Sequence, residues 1–548
     1  MSGLSKILWA LFVLLGNYGC SGHWRHLHKE AGSAFFEGRV YDAIDLEQQA
    51  YYIAISSTNE KACVNIALSL SYLYARIGRP QDSISIVNDA LIACKSKYNV
   101  HLLTALSQLN YEINNINEAN KYHSMAMKSK YCDNTCRREL NAYRYYYYGE
   151  YQKAIGEMEA LLKRKYTIDH TKWDSIIRNH EIHLLLYQLL CFTGKYKESQ
   201  NILNNMYNKF NNEWGEKNPL VVHLLVEYAY LSLITEDYDG AINYCLRWKK
   251  NTRYMDIDNG DLYACDYVIN EAKARKGKRR WKNTYINRYI KYLRSIYVND
   301  PPNIAFLLVE EAKAEFSHDN YDYILGILNR ACEIYETTGL TRHPGYGLAS
   351  GAIGAVMMQE GDYKNAIIHL EKSRDIYASS IGKDSSAYVD VLIRMASAYA
   401  SMNCYEEARS ILIDIENNKY YNNSSNRMRL RISEIKCFIY TNEDRLNDAE
   451  IHCKDVLEKK ESLFGKGNDE VAVAKAHLAV VLYKKKEINV AINMLEDALK
   501  ILRQYNAKYR NTIVEIMEML EYMYRNNGEM TKAMMLEKEI SDIKDRWK

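Results

Sequence analysis

Proline is almost missing: the 548-residue chain has five, about a fifth of the ordinary usage of ~5%. Its twenty-five glycines also fall short of the usual ~7%. These shortages exclude collagen-like chains, Pro-rich linkers and strand-dense sandwiches, which need both residues at their turns. An excess of one charge is lacking too. With 72 basic residues, 69 acidic ones and a net +3, neither a disordered polyelectrolyte nor a broadly nucleic-acid-like surface is expected. No apolar stretch of 18 residues exists after residue 20, so no membrane-spanning helix is expected there. Phenylalanine is scarce, at nine, while tyrosine reaches 48. With 47% hydrophobic residues, what remains is a mostly helical chain able to bury a large core.

The first twenty residues are an address. Residues 1–6 carry one positive charge, 7–15 are apolar, and Gly19-Cys20 follows soon after. Nine apolar residues are too few to cross a bilayer as a helix, so a secretory leader over 1–19 is expected. A small residue directly before Cys20 resembles the bacterial lipoprotein cleavage site. That resemblance implies acylation of Cys20, a tether over 20–30 holding His23, His26 and His28, and, with Ser21 next, an outer-membrane lipoprotein facing the periplasm. Ordinary secretion with a nearby cut and a buried N-terminal helix are the alternatives.

Eleven further cysteines do not read as a disulfide framework. Cys191, Cys245, Cys332, Cys404, Cys437 and Cys453 stand alone at apolar positions of helical patterns, where a thiol packs as a small hydrophobe. Cys132 and Cys136, four residues apart, permit a disulfide or half of a metal site. No second pair at ligand spacing follows, and no metal or cofactor is expected.

Self-comparison finds a repeat. The phrase Gly361-Asp362-Tyr363-Lys364-Asn365-Ala366 is echoed along the chain, and its last residue recurs as Ala43, Ser83, Ala119, Ala154, Ser199, Ala241, Ile324, Ala366, Ala408, Ala449, Ala491 and Ala533. From Ile324 onward these anchors are 42, 42, 41, 42 and 42 residues apart, and the double gap before Ile324 holds a unit without an anchor, about 262–299. Twelve residues before most anchors stands another small residue, such as Ala31, Ser71, Ala142, Ala229 or Ala479. Small side chains at both places let two helices cross closely. Tyrosine recurs three residues before the anchor (Tyr151, Tyr196, Tyr238, Tyr321, Tyr363, Tyr405) and nine before it (Tyr74, Tyr145, Tyr399, Tyr440, Tyr524). There the ring buries and the hydroxyl reaches a polar neighbour. Pro219, Pro302 and Pro344 fall at the starts of first helices and Pro80 at the start of a second, where proline is tolerated.

The paired small residues and the phrase Gly-Asp-Tyr-x-x-Ala resemble the tetratricopeptide repeats, and the 42-residue period resembles the longer type found in kinesin light chains. The resemblance implies an all-α, right-handed superhelical solenoid of about thirteen helix-turn-helix units over 31–548. It also implies that residues eleven before the anchor face a concave groove: Tyr72, Gln108, Tyr143, Gln188, Tyr230 and Lys313. A stripe of Tyr and Gln suits an extended peptide or a sugar face.

One segment departs in charge. From Ala272 to Asn299 the chain has ten basic residues and no acid, so with the total at +3 the remainder sums to −7. Lys273, Arg275, Lys276, Lys278, Arg279, Arg280 and Lys282 make its core. It could attract an acidic partner or an anionic surface; alternatively it is a solvated helix face neutralised by neighbours. With a working leader, nucleic acid is not an expected partner.

No catalytic pattern is present. Gly277-Lys278 lacks the rest of a phosphate loop, and His180-Glu181-Ile182-His183 lacks zinc-protease spacing. The expectation is a non-catalytic scaffold, anchored by lipid, binding a protein or peptide in its groove. A glycan-capture lipoprotein and a regulatory module acting through a separate output protein are the alternatives.

Overall fold

A computed structural model describes residues 23–94, 97–163, 173–253, 255, 259–276, 284–297, 300–315, 320–421, 426–505 and 509–545. Among them 26 α-helices follow one another in antiparallel-style pairs, with no strand. Pairs one to four are α1 (His23–Phe36) and α2 (Val40–Ser56), α3 (Glu60–Arg76) and α4 (Pro80–Ala93), α5 (Asn99–Glu112) and α6 (Ile116–Lys128), α7 (Asn134–Tyr147) and α8 (Tyr151–Lys163). Pairs five to eight are α9 (Trp173–Phe192) and α10 (Tyr196–Trp214), α11 (Pro219–Ile234) and α12 (Tyr238–Asn251), α13 (Asn259–Arg275) and α14 (Thr284–Ile296), α15 (Pro302–Glu315) and α16 (Tyr321–Thr337). Pairs nine to eleven are α17 (Pro344–Gln359) and α18 (Tyr363–Ser380), α19 (Ser386–Ser401) and α20 (Tyr405–Glu416), α21 (Asn426–Asn442) and α22 (Leu446–Phe464). The last two are α23 (Asp469–Lys484) and α24 (Ile488–Leu502), α25 (Arg510–Asn526) and α26 (Met530–Asp545). The unit without an anchor still forms a pair, α13 and α14.

The periodic small residues explain the pairing. All twelve anchors are completely buried, at 0% exposure, each on the second helix of its pair. Ser83 Oγ donates to the Ser71 carbonyl at 2.7 Å and Ser107 Oγ to the Ala119 carbonyl at 3.1 Å, so the two small positions touch across the crossing. Larger side chains there would separate the axes. The tyrosines three before the anchor bury less than expected: Tyr151 is buried, while Tyr196, Tyr238, Tyr321, Tyr363 and Tyr405 are half-buried.

A single backbone device joins the helices of a pair. The residue five before the anchor has positive φ in eleven units, from Gly38 to Gly528. The next residue's N–H closes back on the carbonyl five residues earlier, as Arg79 does on Tyr74 and Glu150 on Tyr145, the six-to-one bond of a Schellman C-cap. Asn114, Glu236, Asn403, Asp444 and Lys486 occupy this left-handed position without being glycine.

The chain divides into two compact units. Unit 1 comprises residues 1–360 with 371–385, and unit 2 comprises 361–370 with 386–548. The boundary runs through α18, which contributes to both. Within unit 1 the row of pairs comes back on itself. Trp173 of the fifth pair packs on Gly32 and Phe35 of the first, and Asn218 of the sixth donates to the Phe36 carbonyl at 3.3 Å. Asn114 of the third pair donates to the Asp300 carbonyl at 3.0 Å, and Gln152 of the fourth to the Ile381 carbonyl at 3.0 Å. The first, third and fourth pairs thus meet pairs four or five places further on. Unit 2 has its own apolar core along α21 to α26, including Leu478, Leu495, Met517 and Leu520.

Two expectations need correction. Residues 23–30, expected in a tether, are the first turns of α1: Leu27 buries with Ala50 and Ala54, and His28 Nδ1 lies 2.7 Å from the buried Glu47 carboxylate. Cys437 and Cys453 are not isolated thiols but a disulfide joining α21 to α22. Each sits on an apolar helix face, and those faces are the two that meet. Residues 1–22, Cys20 and the leader with them, lie outside the described residues.

Candidate partner-binding surface

The first helices α3, α5, α7, α9 and α11 of unit 1 carry Tyr72, Gln108, Tyr143, Gln188 and Tyr230, and all five are half-buried. Their neighbours a turn away on the same helix face extend the stripe at intervals of three and four: Tyr72 with Arg76, Gln108 with Glu112, Glu139 with Tyr143 and Tyr146, and His223 with Glu227 and Tyr230. Side chains at these intervals share one side of a helix. The spacing was thus readable, and the residues beyond the single position eleven before the anchor were the ones missed.

Acidic groups dominate this wall. His180 Nδ1 lies 3.2 Å from Glu181 Oε1, Arg76 Nη1 lies 3.4 Å from His223 Nδ1, and that nitrogen lies 3.3 Å from Asp261 Oδ2. The Arg76–His223 contact joins the second pair to the sixth. Gln188 Nε2 donates to Glu227 Oε1 at 3.1 Å, and Arg178 pairs with Glu139. Five carboxylates, Glu112, Glu139, Glu181, Glu227 and Asp261, thus face two arginines and two histidines.

The charges set the titration of the wall. Glu112 is open to solvent yet hemmed in, and surrounding protein first, then the Glu181 charge, push its carboxyl up to about 7. Burial also raises Glu227 against the opposing pull of His223 and Gln188. For Glu181 and Asp261 burial works against ionisation but loses. Glu181 is held below the ordinary carboxylate range by its hydrogen bond with His180 and by Arg76, and Asp261 by His223 and Arg76. Burial, with the acids Glu181, Glu139 and Glu112, lifts the Tyr143 phenol well above its usual value, so it stays a neutral donor. Two donors on this wall lack a partner: the buried Tyr72 hydroxyl and the Gln108 amide nitrogen. A buried donor without a partner costs stability.

Lys313 lies on α15. It is exposed and bonded to Glu310, whose other oxygen accepts from the Tyr267 hydroxyl at 3.2 Å. The basic segment is described only in part. Arg275 pairs with Glu271 at 2.5 Å and Lys276 with Asp239 at 2.5 Å, while Lys273 is half-buried. Lys278, Arg279, Arg280 and Lys282 lie outside the described residues. Among the described residues no group of three His, Cys, Asp or Glu is arranged to hold a metal, and no helix is long and apolar enough to cross a membrane.

Comparison with known proteins bears on the scaffold. Residues 346–414 match the tetratricopeptide repeat family. A curated relative, the secreted RxLR effector protein RXLR-C07 of Plasmopara halstedii, is 23% identical over 188 residues, which is 33% of this chain and 56% of that protein. The match thus spans about half the length of that relative. Among solved structures, the Cut9-Hcn1 hetero-tetramer of the APC/C aligns over 98% of this chain and 97% of its own, at 10% identity and a TM-score of 0.53. A Rap protein complexed with competence and sporulation factor covers 67% of this chain and 98% of its own at 11% identity, with a TM-score of 0.45. BtubC (BKLC) from P. vanneervenii covers 45% and 90% at 18% identity and 0.32. Thirteen tandem helix pairs with buried anchors give the chain the fold of a tetratricopeptide-type α-solenoid, and its residues 346–414 match the tetratricopeptide repeat family itself.

Proposed function

We propose that this protein is a non-catalytic scaffold that receives an extended protein segment along the inner wall of unit 1, and that the segment carries lysine or arginine. The acidic wall supports this reading most directly, because five carboxylates there exceed the two arginines beside them. Tyr143 and Tyr230 offer rigid rings, and the unpartnered Tyr72 hydroxyl and Gln108 amide offer donors for backbone carbonyls. Electrostatic complementarity of this kind makes affinity fall with salt.

The test uses the full chain and three fluorescent peptides of equal length, basic, neutral and acidic, followed by anisotropy. The basic peptide is expected to bind best and to weaken with added salt. Replacing Tyr143, Gln188 and Tyr230 together should reduce its affinity at least tenfold, with the helical signal unchanged. Equal affinity for all three peptides, or for the triple variant, refutes the assignment, and binding to a polysaccharide array instead would favour glycan capture.

We further propose that the chain is exported and anchored through acylated Cys20, facing the periplasm. The leader-like residues 1–19 and the Cys437–Cys453 disulfide support export, since disulfides persist in oxidising compartments, and so does a relative described as secreted. Labelled palmitate should enter the chain and not Cys20→Ala; equal labelling of both removes the anchor.

A further inference from the structure

Eleven cysteines belong to the described residues, and their distribution in space is not that of scattered hydrophobes. Cys437 and Cys453 are bonded. Cys132 Sγ lies 3.0 Å from Cys136 Sγ, inside the ordinary contact of two non-bonded sulfurs. Cys63 on α3 makes a thiol contact with Cys94 just beyond α4, and Cys245 on α12 makes one with Cys265 on α13. Eight of the eleven therefore stand sulfur to sulfur in four pairs, and all eight are buried. Only Cys191, Cys332 and Cys404 stand alone.

Local structure brings each pair together. Asp133 caps α7 by accepting from the Cys136 N–H at 2.8 Å. That leaves Cys132 outside the helix, where its side chain can swing over the first turn. Thr104 Oγ1, at 3.6 Å from Cys136 Sγ, is the competing neighbour. Cys94 follows the last residue of α4, and its Sγ reaches the Glu60 carbonyl at 3.9 Å beside the start of α3. Cys245 and Cys265 lie at the junction of the sixth and seventh pairs, both at 0% exposure. No third ligand stands near any pair to make a metal site among the described residues, and a pair of thiols alone is half of one.

We propose that Cys63–Cys94, Cys132–Cys136 and Cys245–Cys265 are disulfide sites, completing with Cys437–Cys453 a set of four staples. The reaction needs an oxidant, a small or protein-borne disulfide. One cysteine thiolate attacks a sulfur of the donor and expels one donor thiolate, giving a mixed disulfide. The second cysteine thiolate then attacks the chain's own sulfur and expels the other donor thiolate. Two electrons pass to the donor disulfide, and the two protons that leave the cysteine pair end on the donor's two sulfurs, which become thiols. In the folded chain burial pushes the Cys63 and Cys136 thiols up to about 12, so thiolate is scarce there. Closure accordingly belongs to folding, before the pairs are covered.

The test does not depend on where the chain resides. The full-length protein, reduced and denatured, is refolded with reduced and oxidised glutathione, then denatured in excess maleimide, and its linked peptides are mapped by mass spectrometry. The expected result is four linked pairs, 63–94, 132–136, 245–265 and 437–453, with maleimide on Cys20, Cys191, Cys332 and Cys404 alone. Cys132→Ser should leave Cys136 labelled and the other three links intact. Maleimide on the six proposed cysteines of a chain that has closed only 437–453, no link at all, or a mixture of other pairings each overturns the proposal.

Discussion

The return of unit 1 upon itself can be tested at one atom. Gly149 holds the left-handed position between α7 and α8 with φ +76°, and a Cβ added there would lie 2.5 Å from Pro344 Cδ and 2.8 Å from His343 Cα. Both neighbours belong to the ninth pair. Gly149→Ala therefore meets two penalties: ~1–2 kcal/mol for a left-handed alanine and ~1–3 kcal/mol for overpacking against backbone that cannot step aside. Gly339, also in unit 1, has φ +71° but nothing within 4 Å of its Cβ position, so Gly339→Ala carries the conformational cost alone. The difference between the two variants isolates the approach of the fourth pair to the ninth, and about 1–3 kcal/mol is expected. Urea unfolding followed by tryptophan fluorescence is suitable, because Trp24, Trp173, Trp214 and Trp248 all lie in unit 1. Midpoint shifts multiplied by the common slope give the two costs. If they agree within ~0.5 kcal/mol, the usual scatter of such comparisons, the pairs do not press together as described.

Three further outcomes are expected. Burial, with the Arg144 charge, lowers the pKa of the His123 ring to about 4, below the ~6.5 of an unfolded chain. The unfolded state then takes up the proton first, so this contribution is whole above pH 6.5 and is lost as pH falls towards 4, by about 3 kcal/mol. Since His123 Nδ1 has no partner, His123→Leu should flatten the stability–pH curve in that window, and an unchanged slope would contradict it. Replacing Cys437 and Cys453 together by serine opens a link of sequence separation 16 and should cost ~3 kcal/mol, read as a lowered midpoint by circular dichroism; an unaltered midpoint would mean the link adds nothing. Glu236, at φ +67°, should give way to glycine with a gain of ~0.5–1 kcal/mol, the left-handed penalty less glycine's entropy, and a loss would show that its side chain holds the turn.

The helix pairs were legible because they are written locally. Anchors such as Ala366 and Ala408 recur at fixed distance and all bury, and Pro80, Pro219, Pro302 and Pro344 mark helix starts as expected. Of the candidate surface, one register position per pair was legible, Tyr72 to Tyr230. Its carboxylates, Glu112, Glu181 and Glu227, were not, since acids on a helix ordinarily mark a solvated face. Contacts such as Arg76 with His223 and Gly32 with Trp173 depend on how small rotations between pairs accumulate, which no single repeat encodes. Along the sequence Cys63, Cys94, Cys245 and Cys265 each stand alone, and Cys63 with Cys94 or Cys245 with Cys265 become pairs only when separate helices meet.

A solenoid in which each repeat touches only its neighbours can be shortened from an end, every removal exposing one interface of the same kind. Unit 1 is not free in this way. Deleting α1 and α2 would uncover the far face of α3 and also the surface around Trp173 and Asn218, four and five pairs along the chain. Its stability is a row of nearest-neighbour terms with an added coupling between pairs far apart in sequence, so its length is held by closure as well as by stacking. Gain or loss of a repeat inside unit 1 would put every later pair out of register with the one it rests on, whereas unit 2, with its own core, is judged by its neighbours alone.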